Sequence, residues 1–126
     1  MATSVKQMMA EAGATVPPIT PLQAKELIAK GDVVVIDVRD AIEVKSTGKV
    51  AGALHITRGV LEFQADPELP SHNKALDKAK TVIVYCASGG RSALAGKTLK
   101  DMGYAQVYNG GGLLELAQGG VLIEKT

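Results

Sequence analysis

The feature that most constrains the fold is an unbroken apolar run at residues 81–86 (TVIVYC), which is followed by four small residues and an arginine. A continuous β-branched run is typical of a strand that is covered on both faces of a sheet. The small residues predict a tight loop, and residues 91–102 predict a helix. The single cysteine, Cys86, therefore lies where a strand ends and a helix begins, which is where ligands bind in open α/β sheets.

The rest of the chain alternates strand and helix patterns, which predicts an α/β domain with a mostly parallel central sheet and helices on both faces. Residues 1–18 predict an N-terminal arm or a short helix ending at Gly13, and residues 19–126 the domain itself. Further strands are predicted at 33–38, 53–56 and 105–108, and further helices at 20–31, 58–65 and 113–118.

Two details of these elements follow from residue type. The helix after Thr20 has a capping box completed by Gln23, and Leu22, Leu27 and Ile28 are predicted as its buried stripe. The glycines at 110–112 predict a flexible turn, because they lack the G-x-G-x-x-G spacing of a dinucleotide site.

Composition excludes several classes of function. The 126 residues carry 14 Lys and Arg against 13 Asp and Glu, a balance that indicates neither nucleic acid nor an anionic membrane surface as a partner. No run is long and apolar enough for a membrane span or a signal peptide, so we expect a cytoplasmic protein. One cysteine cannot form an internal disulfide, and two distant histidines do not predict a metal site.

Cys86 is the best candidate for chemistry. Most cysteines are small buried hydrophobes, but Ala87, Ser88, Gly89 and Gly90 are too small to cover this sulfur. Glycines let backbone N–H groups converge as an anion-binding nest. A helix N-terminus and a nearby cation lower the pKa of a thiol from its usual value of about 8.5. The pattern predicts a reactive thiolate beside an oxyanion site.

Other polar residues have structural interpretations. No histidine is placed to act as a general base for Cys86, and His55 is predicted to be a partly buried structural residue. Asp37 and Arg39 lie at the carboxyl end of the strand predicted at 33–38, and they predict a buried ion pair rather than a substrate contact. Lys49 is predicted to be a solvated surface residue.

Five segments together resemble the single-domain rhodaneses, a family of thiosulfate sulfurtransferase-like enzymes. These segments are DVRD at 37–40 with Glu43, GKVAGALHI at 48–56, CASGGRS at 86–92, GY at 103–104 and VYNGG at 107–111. The resemblance covers residues 19–120. The chain departs from the family pattern at Lys49, at Thr57 and at 114–116, where histidine, proline and tryptophan are usual.

The resemblance implies a rhodanese-like fold and a persulfide mechanism. Cys86 would take the sulfane sulfur of thiosulfate, mercaptopyruvate or a persulfide and pass it to a thiol or to cyanide, with no metal and no organic cofactor. The family's loop residues would cradle the sulfur and the departing sulfite; here they are Ala87, Ser88, Gly89, Gly90, Arg91 and Ser92. Asp37, Arg39 and Glu43 would mainly order the structure.

Two other functions remain open at this stage. The first is a sulfur-relay or regulatory module that binds a partner protein and turns over little thiosulfate. The second is a phosphatase, which is disfavoured because its C-x5-R loop holds a tetrahedral phosphate, whereas four residues separate Cys86 from Arg91. A homodimer through the segment around Met8 and Met9 is also open.

Overall fold

A computed structural model describes residues 2–126 of the chain. The helices are α1 (Val5–Thr15), α2 (Pro21–Lys30), α3 (Ala41–Thr47), α4 (Leu61–Ala65), α5 (Gly90–Asp101) and α6 (Leu113–Gln118). The strands are β1 (Val33–Asp37), β2 (Lys49–Val50), β3 (Leu54–His55), β4 (Thr81–Cys86), β5 (Gln106–Gly112) and β6 (Ile123–Glu124). A 3-10 turn at Arg58–Val60 leads into α4.

Four parallel strands form the central sheet in the order β3-β1-β4-β5, which confirms the predicted sheet. Its central strands, β1 and β4, are the apolar runs at residues 33–38 and 81–86. Val84 and Cys86 face one core with Leu99 of α5, while Ile83 and Tyr85 face the other. Because both faces are buried, apolar residues are needed at every position, and this is why the runs do not alternate.

A two-stranded antiparallel ribbon, β2 with β6, stands beside this sheet. It corrects the expectation for Lys49, whose side chain is only 17% exposed. The Lys49 Nζ atom lies 2.7 Å from Glu124 Oε1 and donates to the Ala53 carbonyl at 2.8 Å. The prediction was wrong because Glu124 is 75 residues away in the chain, beyond the reach of any local pattern.

The N-terminal segment forms a helix that packs on α5. Helix α1 continues through Gly13 to Thr15, so the predicted end at Gly13 was wrong. Ala12 and Val16 are buried, and a Cβ atom placed on Gly96 of α5 would lie 2.8 Å from Val16 Cγ1. This packing outweighs the cost of about 1 kcal/mol that a glycine imposes inside a helix.

Helix α2 begins with the predicted capping box. The Gln23 amide donates to Thr20 Oγ1 at 3.1 Å, and the Thr20 amide donates to Gln23 Oε1 at 2.8 Å. The predicted buried stripe was wrong at one position, because Leu22 is 62% exposed and Ala24 is buried. Residues at spacings of three and four share a helix face, so Ala24 lies with Leu27 and Ile28, and Leu22 does not.

The glycines at 110–112 belong to β5 rather than to the predicted turn. Gly111 and Gly112 pair with Tyr85 and Cys86, after an irregularity in the register. A side chain at Gly112 would collide with the Ala87 carbonyl oxygen. Glycine is therefore needed because this strand passes directly against the loop that follows Cys86.

Candidate active site

The loop after β4 wraps around the sulfur atom of Cys86. Cys86 is a free thiol that is only 1% exposed, at the last position of the strand. The prediction that the small loop residues leave this sulfur uncovered was wrong, because the backbone of the loop itself packs against it. Gly89 has φ +97°, a left-handed conformation that glycine adopts without strain. In this conformation the Gly89 N–H donates to Cys86 Sγ at 3.1 Å. The small residues after the strand therefore turn the backbone back toward the sulfur.

A second donor approaches the sulfur from the first turn of α5. The Oγ atom of Ser92 lies 3.4 Å from Cys86 Sγ, and Ser92 is fully buried. Burial raises the pKa of the Cys86 thiol. Hydrogen bonds from the Ser92 hydroxyl and from the amides of Ser92, Ser88 and Gly89 lower the pKa by more than burial raises it, so the net shift is downward. Such donors stabilise a thiolate, the nucleophilic form of cysteine.

Arg91 is held by Glu43 of α3. Its two terminal nitrogens lie 2.7 and 3.0 Å from the two carboxylate oxygens, a bidentate pair at the half-exposed rim of the loop. This pairing raises the pKa of Arg91 and lowers the pKa of Glu43 to about 2. The pair thus ties the loop to a helix that lies 48 residues earlier in the chain.

Asp37 and Arg39 form the buried ion pair that the sequence predicts. The Nη2 atom of Arg39 lies 2.8 Å from Asp37 Oδ2, and both side chains are at most 3% exposed. The Tyr85 hydroxyl donates to Asp37 Oδ2 at 2.7 Å and accepts from the Val50 amide at 2.8 Å. Thr47 Oγ1 accepts from Arg39 Nη1 at 2.7 Å. Among residues 2–126, no buried side-chain nitrogen or oxygen is left without a partner.

His55 is placed at the end of β3, and its ring contacts a backbone carbonyl. The Nε2 atom lies 2.8 Å from the Arg39 oxygen, and the residue is half-buried, as predicted for a structural histidine. In the part of the chain that the structure describes, no three His, Cys, Asp or Glu side chains are grouped closely enough to bind a metal ion.

Asn109 is a site residue that the residue patterns alone did not single out. It lies on β5, and its side chain contacts Ser92, whose hydroxyl donates to Asn109 Oδ1 at 2.7 Å. The available signal was an amide side chain at the end of an otherwise apolar segment. Sequence reasoning missed its role because Ser92 lies 17 residues away.

Two clefts adjoin the loop at Ala87. One of about 450 Å³ is lined mainly by apolar residues of α6 and β6, and another of about 400 Å³ lies against α3. The charged side chains that line them are Arg39 and Glu43. Each already has a partner, because Arg39 binds Asp37 and Glu43 binds Arg91.

Comparisons with known proteins identify the family of the chain. A match to the rhodanese-like domain family covers residues 20–115, which include both ion pairs and the whole loop. The chain belongs to the rhodanese-like family. A thiosulfate sulfurtransferase, GlpE, from Coxiella burnetii is 33% identical over 91 residues, which are 72% of this chain and 77% of GlpE. This rhodanese-like chain also contains no helix that is long and apolar enough to cross a membrane, within the described residues 2–126.

The names of other similar proteins describe different activities. A tRNA uridine(34) hydroxylase from Rickettsia massiliae is 35% identical over 98 residues, which are 77% of this rhodanese-like chain but 38% of the hydroxylase. A protein of unknown function from Rhodopseudomonas palustris, described as a possible tyrosine phosphatase, has a TM-score of 0.90 and 36% identity over 98% of this chain and 96% of that one. A polysulfide-sulfur transferase homodimer from Wolinella succinogenes has a TM-score of 0.75 and 33% identity over 96% of this chain and 87% of that one.

Proposed function

We propose that this protein is a sulfurtransferase that carries sulfane sulfur as a persulfide on Cys86. The observation that carries the proposal is the convergence of the Gly89 N–H and the Ser92 hydroxyl on Cys86 Sγ, at 3.1 and 3.4 Å. Donors placed around a cysteine sulfur favour its ionised, nucleophilic form. A single thiolate is sufficient for sulfur transfer.

The reaction has two displacement steps. The Cys86 thiolate attacks the sulfane sulfur of the donor, a new S–S bond forms, and the donor's S–S bond breaks. With thiosulfate the electron pair of the broken bond leaves on sulfite. An acceptor thiolate or cyanide then attacks the outer sulfur and restores the Cys86 thiolate, so neither step needs a metal or an organic cofactor.

The loop residues Ala87 to Ser92 have the role of holding the sulfur and the departing anion. Their backbone amides lie at the start of α5, where N–H groups have no partner within the helix. Asp37, Arg39 and Glu43 support the loop from β1 and α3. Thiosulfate and polysulfide, which appear in the names of two relatives, are the first donors to test. The cytoplasmic location and the homodimer stay predictions.

A sulfur-relay module is the second candidate function. It is favoured by the arrangement of the loop rim, where Arg91 is paired with Glu43 and large apolar side chains are exposed. Ile42 is 78% exposed and Leu114 is 64% exposed. Apolar rims of this kind suit a protein partner better than a small inorganic anion. In this case a partner protein would deliver the sulfur.

A phosphatase activity is less consistent with the site. Four residues separate Cys86 from Arg91, one fewer than a C-x5-R phosphate loop contains. The Arg91 guanidinium also uses two nitrogens to bind Glu43. Hydrolysis of p-nitrophenyl phosphate that is lost in Cys86→Ser would favour the phosphatase over the sulfurtransferase.

Intact-protein mass spectrometry after incubation with thiosulfate tests the proposed function. We expect a gain of one sulfur atom that cyanide removes and that is absent from Cys86→Ser. Polysulfide, mercaptopyruvate and glutathione persulfide serve as further donors in the same assay. No sulfur gain with any of these four donors would reject a small-molecule sulfurtransferase and leave the protein-fed relay.

A further inference from the structure

Asn109 is fixed from both sides of its backbone. On one side it pairs with Val84 of β4. On the other side the Asn109 amide donates to the Pro17 carbonyl at 3.1 Å, and the Ile19 amide donates to the Asn109 carbonyl at 3.0 Å. The segment that precedes α2 therefore extends the sheet at this point. A residue held by two neighbouring segments has little freedom to shift its side chain.

The Asn109 side chain joins the two residues that touch the sulfur. Its Nδ2 donates to the Gly89 carbonyl at 3.1 Å, and its Oδ1 accepts from the Ser92 hydroxyl at 2.7 Å. Gly89 and Ser92 are the residues whose N–H and hydroxyl contact Cys86 Sγ. The Gly111 amide donates to the same Oδ1 at 3.0 Å and so fixes which end of the amide faces each partner.

We infer that Asn109 is a positioning residue that favours ionisation of Cys86 by holding the Gly89 N–H against its sulfur. The inference rests on the proposed function, because it assigns Asn109 a part in making the nucleophile of that reaction. Asn109 acts through Gly89, while its contact with Ser92 uses the one hydroxyl proton that the thiolate would otherwise receive.

The single proton of the Ser92 hydroxyl gives the Asn109–Ser92 bond the opposite effect, because this bond exists only while Cys86 is a thiol. When Cys86 is a thiol, its S–H donates to Ser92 Oγ, and the hydroxyl donates to Asn109 Oδ1. When Cys86 is a thiolate, the hydroxyl proton turns to the sulfur. Asn109 Oδ1 then keeps the Gly111 N–H as a donor, so no buried acceptor is left without a partner.

The hydrogen bond to the Gly89 carbonyl explains how Asn109 favours the Cys86 thiolate. Gly89 is in a left-handed conformation that points its N–H at the sulfur. The bond from Asn109 Nδ2 holds the carbonyl of the same residue at 3.1 Å. Without that bond the loop has more conformations, and the N–H spends less time directed at Cys86.

The test is the pH dependence of Cys86 alkylation by iodoacetamide, followed by intact mass. Asn109→Leu removes both polar contacts at nearly constant volume, and Ser92→Ala removes the competing Ser92 contact. We expect the double variant Ser92→Ala/Asn109→Leu to have its alkylation midpoint at higher pH than Ser92→Ala alone, with alkylation at pH 7 slowed by about three- to tenfold because less thiolate is present. Asn73→Leu is the matched control: Asn73 is half-buried, bonds Gln64 and Ala75, and lies before β4. Its midpoint should equal that of the wild type.

Asn109→Ala in the Ser92→Ala background keeps the test decisive if Asn109→Leu folds poorly. It also removes the donor to Gly89 without adding a charge, and we expect the same rise of the midpoint. Ser92→Ala alone should have a higher midpoint than the wild type, because it removes a donor to the thiolate. The double variant with Asn109→Leu should then shift by more than the sum of the two single shifts, because Asn109→Leu alone also frees the Ser92 proton for the sulfur.

In the Ser92→Ala background, an alkylation midpoint that Asn109→Leu or Asn109→Ala leaves unchanged or lowers would overturn the inference. A merely structural Asn109 would lower the melting temperature and leave the midpoint in place. Alkylation requires no sulfur donor, so this result is separate from the proposed function. A raised midpoint without sulfur transfer would reject the small-molecule sulfurtransferase and keep the role of Asn109.

Discussion

Tyr85 and Cys86 are neighbours at the end of β4, and they have opposite chemistry. Both are buried, at 0% and 1% exposure, but they point to opposite faces of the sheet. Burial and the Asp37 carboxylate raise the pKa of the Tyr85 phenol, so its proton stays in place. The Cys86 thiol has a lowered pKa in spite of burial, because hydrogen-bond donors surround it.

The difference lies in the kind of partner that each side of the strand provides. The Tyr85 side offers a charged acceptor that is already paired with Arg39, so the cluster is closed and rigid. The Cys86 side offers donors, from Gly89 and Ser92, that stabilise a charged sulfur. Hydrogen bonds to the ionised form lower the pKa of an acid, and bonds to the neutral form raise it. One strand end thus carries a structural anchor and a candidate nucleophile.

Cys86→Ser has the largest expected effect on activity. We expect a complete loss of sulfur transfer, because a serine hydroxyl is not ionised at neutral pH. The free energy of unfolding should change by no more than about 1 kcal/mol, since the two side chains are similar in size. Transfer of sulfur from thiosulfate to cyanide and urea unfolding measure the two effects. Sulfur transfer that Cys86→Ser retains would show that Cys86 is not the nucleophile, and the contrast with Tyr85 on the opposite face of β4 would not hold.

Asp37→Ala has the largest expected effect on stability. It leaves the Arg39 guanidinium buried without its counter-charge and removes the acceptor of the Tyr85 hydroxyl. We expect a loss of about 3–5 kcal/mol of unfolding free energy, measured by urea unfolding. Alkylation of Cys86 in the remaining folded protein should be little changed. A stable variant with slow alkylation would show that this cluster serves the sulfur directly.

Arg91→Ala should weaken catalysis more than stability. Its ion pair with Glu43 lies at the half-exposed rim, so the stability loss should be about 1 kcal/mol or less. We expect transfer to slow by about tenfold, equivalent to about 1.4 kcal/mol in the barrier, as the loop loses its link to α3. Glu43→Gln is the matched variant. If it keeps full activity while Arg91→Ala does not, Arg91 acts on the substrate rather than as a link.

The smallest expected effect is the pH dependence of the contribution that Glu43 makes to the free energy of unfolding. The pKa of Glu43 is about 2 in the folded protein, below the usual 4.5. The unfolded chain therefore takes up a proton at this residue first as the pH falls. The contribution is fully present above about pH 4.5, where the unfolded chain is also ionised, and is lost as the pH falls toward 2.

Urea unfolding of wild type and Glu43→Gln at pH 5 and pH 3 measures this contribution. The difference in unfolding free energy between them should shrink at pH 3, by less than about 1 kcal/mol because the pair is partly exposed and screened. A difference that stays constant or grows at pH 3 would contradict the depressed pKa of Glu43.

Much of the fold could be predicted from local patterns. The two apolar runs predicted the buried parallel strands, and Thr20 with Gln23 predicted the start of α2. The failures came from tertiary contacts. The glycines at 110–112 form a strand because they pass against Ala87, and α1 continues through Gly13 because Ala12 and Val16 are buried.

The sequence by itself determined that Cys86 ends a buried strand and begins a glycine-rich turn, because those properties depend on residues adjacent in the chain. Only the tertiary structure decided which distant side chains complete the site. Glu43 binds Arg91 across 48 residues, and Asn109 reaches Ser92 across 17. Such pairs depend on how the strands are ordered in the sheet, and patterns of period 2 or 3.6 carry no information about that order.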